Sequence, residues 1–324
     1  MELREEARDW QAFADRFKAL EDNIERVVRG KHHQIRLALV ALVAEGHLLI
    51  EDVPGVGKTM LAKAMARSID CSFRRIQFTP DMLPTDITGV NVFNQERGDF
   101  EFRPGAVFAN VVLGDEINRA SPKTQSALLE CMEERQVTID AETHALGTPF
   151  IVIATQNPVE HEGTYPLPEA QLDRFMLRLS VGYPDREIET EILASHSVGE
   201  PLAEITHVCD ARAVAELIRT AREVHVAPAI RSYIVSVVEA SRQHADVYLG
   251  ASPRASIMLL RAARAFAAAD RRDFVIPDDV KTLARPVLGH RIIVTADAAM
   301  SGRDTAAVID EILAAVEVPV VERP

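Results

Sequence analysis

Residues 47–61, HLLIEDVPGVGKTML, constrain this chain more than any other stretch. An apolar run (Leu48, Leu49, Ile50) leads into a turn with Gly55 and Gly57, then Lys58 and Thr59, then a run of helix formers. Strand, glycine turn and helix in that order are the setting in which a phosphate-binding loop works. The two glycines let successive backbone N–H groups turn inward around an anion. The helix that follows aims the positive end of its dipole at the same point. Lys58 is placed to reach the β- and γ-phosphates, and Thr59 to ligate Mg²⁺. The pattern G-x-x-x-x-G-K-[ST] asks for glycine at position 52, and this chain carries Asp52 there.

A second stretch, VVLGDEINRA (111–120), ends an apolar run in Asp115 and Glu116. Ligands of open α/β sheets bind at the carboxyl ends of buried strands. Two adjacent carboxylates there are costly unless a cation neutralises one of them. Asp115 suits Mg²⁺ held through its water shell, and Glu116 suits a general base that orients the attacking water. Asn157, at the tip of FIVIATQNP, offers an amide to the γ-phosphate or that water; the plainer reading is an Asn-Pro turn. Arg174, in LPEAQLDRF, has the fixed charge to stabilise a phosphoryl-transfer transition state, in its own subunit or a neighbour's. A surface salt bridge is its alternative. Arg254, in GASPRAS, is a cation in the first turn of a helix, which opposes the dipole and suggests a phosphate nearby. His32-His33 lacks metal-ligand spacing, and Asp278-Asp279 reads as helix capping. Arg261, Arg264, Arg271 and Arg272 read as one solvated basic face or a subunit contact.

Strands alternating with helices across 48–180 predict a parallel α/β sheet with right-handed crossovers. Helices are expected over 3–29, 32–44 and 121–134, and strands at 47–51, 73–78, 110–114 and 150–155. The segment 79–89 reads as turn-rich. Two β-hairpins are expected, at 90–103 and 136–148. From 210 onward the pattern is helical. The resulting division is a nucleotide-binding core at 1–197, a linker at 198–206 and a helical domain at 207–324. With 324 residues and 47% apolar content, two cores are affordable. A net charge of −13 argues against broad attraction to nucleic acid. Cys71, Cys131 and Cys209 make no disulfide framework or zinc spacing. The charged N-terminus lacks a secretory layout, and the longest apolar run, Leu37–Ile50, is broken by Glu45, Gly46 and His47. A soluble, cytoplasmic protein is expected.

Taken in this order, the residues resemble the AAA+ ATPases, and within them the MoxR family, over nearly the whole chain from about residue 20. EDVPGVGKT resembles the family's Walker A, so the resemblance assigns nucleotide binding to Pro54, Gly55, Val56, Gly57, Lys58, Thr59 and Met60. The long DEINRASPKTQSALLECMEE resembles Walker B and the helix after it, ATQNP sensor 1 through Asn157, and GASPRAS sensor 2 through Arg254. EGTYPLPEAQLDRF is also similar to the family's pattern, and implies that Arg174 is an arginine finger acting on a neighbour's nucleotide. Val28 and Gly30 match where adenine sits. The hairpins match the helix-2 and pre-sensor-1 inserts, which commonly face the pore or substrate side of a ring. The implied fold is a P-loop αβα sandwich with hairpin inserts and a small all-α lid.

The implied activity is ATP hydrolysis with Mg²⁺ between subunits of a ring, usually a hexamer. A chaperone-like role on protein clients is also implied, often beside a partner with a von Willebrand factor A domain. Whether Arg254 serves its own nucleotide or a neighbour's stays open at this level. Two other functions compete: a nucleic-acid-dependent motor, and an ATP-gated binding switch with negligible turnover.

Overall fold

The computed structural model describes residues 2–158, 163–196 and 201–319. The first helix, α1 (Glu2–Glu25), places Phe13, Phe17, Leu20 and Ile24 at spacings of three and four, and all four are buried. It stops short of the expected residue 29, because the chain turns at Gly30 with φ +67°. Helix α2 (His32–Val43) is buried along nearly its whole apolar length and delivers the chain to β1 (Leu48–Glu51). The loop then enters α3 (Lys58–Ser68), which leads to β2 (Phe73–Gln77). The turn-rich segment contains a short helix, α4 (Pro84–Thr88), started by proline at its first position.

The first hairpin pairs β3 (Gly89–Asn94) with β4 (Asp99–Pro104). Strand β5 (Val111–Asp115) begins one residue later than expected and takes in Asp115. Helix α5 (Pro122–Glu134) is capped by the Ser121 hydroxyl, which accepts from the Thr124 N–H. The second hairpin pairs β6 (Gln136–Ile139) with β7 (Glu142–Ala145). Strand β8 (Ile151–Gln156) is followed by α6 (Glu169–Leu172) and the short β9 (Leu177–Leu179).

Among the described residues the central sheet has the order β2-β5-β8-β1-β9, every neighbouring pair parallel. Strands β5 and β8 are buried on both faces, as their unbroken apolar runs require. This order sets β8 between the strand that feeds the glycine turn and the strand that ends in Asp115.

A helix not anticipated from the pattern, α7 (Arg186–His196), follows Pro184-Asp185, where the Asp185 carboxylate accepts from the Ile188 N–H as a cap. Of the expected linker, residues 198–200 lie outside the described residues; Leu202 and Ile205 are buried against the core. Helices α8 (Ala211–Glu223) and α9 (Pro228–Gln243) follow. A strand not expected in a helical region, β10 (Val247–Leu249), comes next, and then α10 (Pro253–Ala269) and α11 (Pro277–Leu288). Strand β11 (Ile293–Val294) pairs antiparallel with β10, and α12 (Ala296–Met300) and α13 (Thr305–Ala315) close the described fold. Alanines 262, 263, 265, 267 and 268 of α10 are buried, which lets α1, α8, α9 and α11 pack closely around it. One apolar cluster runs from Phe13 through Leu48 and Ile153 to Leu283, so helical region and sheet share a core. Among the described residues no helix is long and apolar enough to cross a membrane.

Candidate nucleotide site

The glycine turn has the conformation its residues allow. Gly55 and Gly57 lie at φ +88° and +95°, and a Cβ built on either meets nothing within 4 Å, so the space above the loop is open to a ligand. Lys58 Nζ donates to the Asp52 carbonyl at 2.7 Å. The Asp52 carboxylate is a strut: it accepts from the Val53 N–H (2.9 Å), the Ser180 hydroxyl (2.8 Å) and the Gly182 N–H (2.7 Å). Burial alone would push this carboxyl up, but those donors hold it below the usual carboxylate range. The residue in place of the first glycine therefore anchors the loop to the chain leaving β9. Beside it, Arg178 pairs with Glu51 at 3.0 Å and donates to the Gly289 carbonyl at 2.8 Å, tying the same strand ends to α11.

A cavity of about 250 Å³ opens beside the turn, with Val28, Val56, Met60, Pro184 and Ile192 among its walls alongside Gly55 and Gly57. Its mostly apolar lining next to backbone N–H groups suits a flat base joined to phosphates. Of the residues expected there, Pro54 is exposed at the start of the turn. Gly30 packs against Ile188, 3.1 Å from where a Cβ would stand, rather than on the described wall.

Asp115 and Glu116 converge on the loop from β5. Thr59 Oγ1 lies 3.4 Å from Asp115 Oδ2. This pair of hard oxygens next to a phosphate cradle fits Mg²⁺, which takes one or two protein oxygens and completes its shell with water and phosphate. The Thr155 hydroxyl donates to Asp115 Oδ1 (3.1 Å) and accepts from the Glu116 N–H (3.0 Å). That bridge holds Glu116 in a left-handed conformation at φ +58°, a strained state for a non-glycine residue. The Glu116 carboxylate accepts from Gln77 Nε2 (3.0 Å) and pairs with Arg119 Nε (3.1 Å). Arg75 Nε sits 2.7 Å from Asp115 Oδ2 and its other nitrogen donates to Gln77 Oε1. Arg75 and Gln77 were not anticipated, although their two-residue spacing in FRRIQF puts them on one face of β2. Asn157 is buried directly after β8, between the ends of β1 and β5.

Arg174 and Arg254 lie elsewhere. They line a cavity of about 650 Å³ together with Gly46 and His47, which immediately precede β1. The glycine turn follows β1 at its other end, about 13 Å away for a four-residue strand. Among the described residues the two cavities share no wall. Arg174 donates to the Leu129 carbonyl at 2.7 Å and pairs with Glu133 at 3.3 Å; Arg254 pairs with the same Glu133. Asp173, next to Arg174 in the chain, accepts from the Ser252 hydroxyl at Oδ2 (2.8 Å), two residues before Arg254, and from Arg291 at Oδ1 (2.7 Å). Arg261 and Arg264 line the same cavity, whereas Arg271 pairs with Asp15 and Arg272 with Asp270 and Asp279. The four do not form the single basic face expected from their spacing.

The chain is similar to known proteins over nearly its whole length. The model of the ATPase family associated with various cellular activities (AAA) matches residues 47–177, and that of the AAA lid domain matches 239–312. The uncharacterized protein YeaC of Bacillus subtilis is 51% identical over 94% of this chain and 94% of its own length. Chaperone MoxR1 of Mycobacterium tuberculosis is 43% identical over 91% of this chain and 80% of its own. A crystal structure of a candidate ATPase from Cytophaga hutchinsonii superposes with a TM-score of 0.92 at 40% identity, covering 99% of this chain and all of that one.

Proposed function

Because the chain belongs to the MoxR family of AAA+ ATPases, we propose that it hydrolyses ATP with Mg²⁺ at sites shared between copies of itself in a ring. The observation that carries this reading is the separation of the two halves. Lys58, Thr59, Asp115, Glu116 and Asn157 gather at the carboxyl end of the sheet. Arg174 and Arg254 point into a different cavity at its other end. One chain cannot close both halves on one phosphate; a neighbour's arginines meeting this chain's loop can.

In this reading Lys58 and the loop N–H groups hold the phosphates, and the apolar cavity by Val28 and Met60 takes the base. Thr59 and Asp115 would hold Mg²⁺, which would supply charge neutralisation to the phosphates. Glu116, oriented by Gln77 and Arg119, accepts the proton of the attacking water, and Asn157 aligns that water or the γ-phosphate. Arg174 and Arg254 of a neighbour stabilise charge on the transferred group; the arrangement supports the trans alternative for Arg254. Residues 1–197 serve as the nucleotide core, 207–324 as the lid, and a hexamer is the proposed assembly.

The naming of a relative as a chaperone supports a further part of the proposal, that turnover remodels or matures protein clients. A cytoplasmic location and a partner with a von Willebrand factor A domain complete the proposal. The first hairpin, with Phe93 and Phe100 exposed and edge to face at 5.4 Å, is the proposed client-facing surface. Glu116→Gln tests the chemistry. It should bind a fluorescent ATP analogue as the parent does while turnover falls by a factor on the order of 100 or more. Hydrolysis at the parent rate would remove Glu116 from its role.

A further inference from the structure

Six arginines line the larger cavity: Arg135, Arg174, Arg222, Arg254, Arg261 and Arg264. Four are matched by carboxylates, Glu133 pairing with Arg174 and Arg254, and Glu45 with Arg135 and Arg222. Burial would push Glu45 up, but its two arginines hold it below the usual carboxylate range, so it stays an anion. Among the described residues Arg261 and Arg264 have no carboxylate within ion-pair distance, and Arg264 Nε is buried without a hydrogen-bond partner. Two carboxylates against six guanidiniums leave four uncompensated positive charges in one concavity, in a chain whose net charge is −13. Like charges lining one partly enclosed space repel one another unless an anion joins them.

Arg254, Arg261 and Arg264 stand at i, i+7 and i+10 on α10, and therefore on one face. Seven residues of helix span about 11 Å, too far for a single phosphate to bridge the two anchor points squarely. We infer that this cavity is a seat for a polyphosphate chain, in which Arg261 and Arg264 supply guanidinium donors beyond the pair at Arg174 and Arg254. Guanidinium forks match phosphate oxygens two at a time, and a chain of phosphates uses several forks at once. The chain belongs either to the nucleotide of a neighbouring copy, a source that rests on the ring reading above, or to a free polyphosphate, which does not need it.

The test uses inorganic tripolyphosphate as the probe and the full-length Lys58→Ala protein, so that the chain's own loop no longer holds the anion. Calorimetric titration at low salt should give saturable binding at one site per chain. Adding Arg261→Ala or Arg264→Ala should weaken it on the order of tenfold, while Arg271→Ala, whose arginine pairs with Asp15 away from the cavity, leaves it unchanged. Urea unfolding of each variant checks that the fold persists. No saturable binding by Lys58→Ala overturns the inference, as does binding that both cavity variants leave intact. A second arm repeats the titration on the assembled Glu116→Gln protein loaded with ATP: exclusion of the probe assigns the seat to the neighbour's nucleotide, and continued binding assigns it to a free polyphosphate. The primary readout is not turnover, so a failed titration leaves the ATPase reading standing.

Discussion

Replacing Asp52 by glycine would restore the residue that the phosphate-loop pattern asks for, and the structure predicts that the protein would be worse for it. The Asp52 carboxylate accepts three hydrogen bonds of 2.7–2.9 Å, from Val53, Ser180 and Gly182. Hydrogen bonds to a charged group contribute about 1.5–3 kcal/mol each, but the three share one carboxylate and do not add fully. A loss of about 3 kcal/mol is the central expectation. Glycine's extra freedom in the unfolded chain costs up to about 1 kcal/mol more. The same substitution frees the backbone whose carbonyl receives Lys58 Nζ. Affinity for a fluorescent ATP analogue should therefore fall roughly tenfold, the equivalent of about 1.4 kcal/mol.

Urea unfolding followed by circular dichroism, together with equilibrium nucleotide titration, reads both effects. The acid limb provides a separate check. The folded carboxyl lies below its ordinary value of 3.8, so its contribution is complete above that value and is lost as pH falls below it. Asp52→Gly should lack that part of the acid transition. A variant within about 0.5 kcal/mol of the parent that binds nucleotide equally well would refute the strut.

Three further outcomes follow from buried groups. His47 is fully enclosed, accepts from the Val152 N–H at Nδ1 and donates through Nε2 to the Met132 carbonyl; burial lowers its pKa to about 4. Between about 6.5 and 4 the unfolded chain binds the proton and the folded one does not, so stability falls with pH across that window, by on the order of 2 kcal/mol at pH 5. His47→Gln, less stable at neutral pH, should show a flatter slope in urea unfolding between pH 7.5 and 5; an unchanged slope would contradict the assignment. Arg291, buried with Asp173 and the Asp173 carbonyl, should cost about 3–5 kcal/mol when replaced by methionine. Because Asp173 also holds Ser252, that variant should lower turnover in the assembled protein more than nucleotide binding, measured by ATPase assay and titration; stability within about 1 kcal/mol of the parent would argue against the clamp.

What the sequence made legible was local. The glycine turn, Asp115-Glu116 and Asn157 could be placed because each closes a strand whose apolar run marks it, and the fold's parallel order follows from the alternation of strands and helices. The contacts that explain those residues could not be placed. Arg75 reaches Asp115 across 40 positions and Asp52 reaches Gly182 across 130, and neither spacing leaves a periodic signal. Helix α7 was missed because its sequence, REIETEILASH, carries little apolar weight and begins where the strand signal fades, after Tyr183-Pro184-Asp185. The strands β10 and β11 are three and two residues long, below the length at which alternation can be recognised. That Arg174 and Arg254 share one cavity and one carboxylate depends on how α10 docks against α1 and α2, which only packing decides.

The shared site is tested most directly by mixing two inactive proteins. Glu116→Gln keeps its arginines and lacks the base; Arg174→Ala keeps the base and lacks the arginine. If catalysis joins one copy's Glu116 to another's Arg174, an equal mixture restores about a quarter of the interfaces, and ATP turnover should rise well above the sum of the two separate proteins. A mixture no more active than that sum would contradict the account.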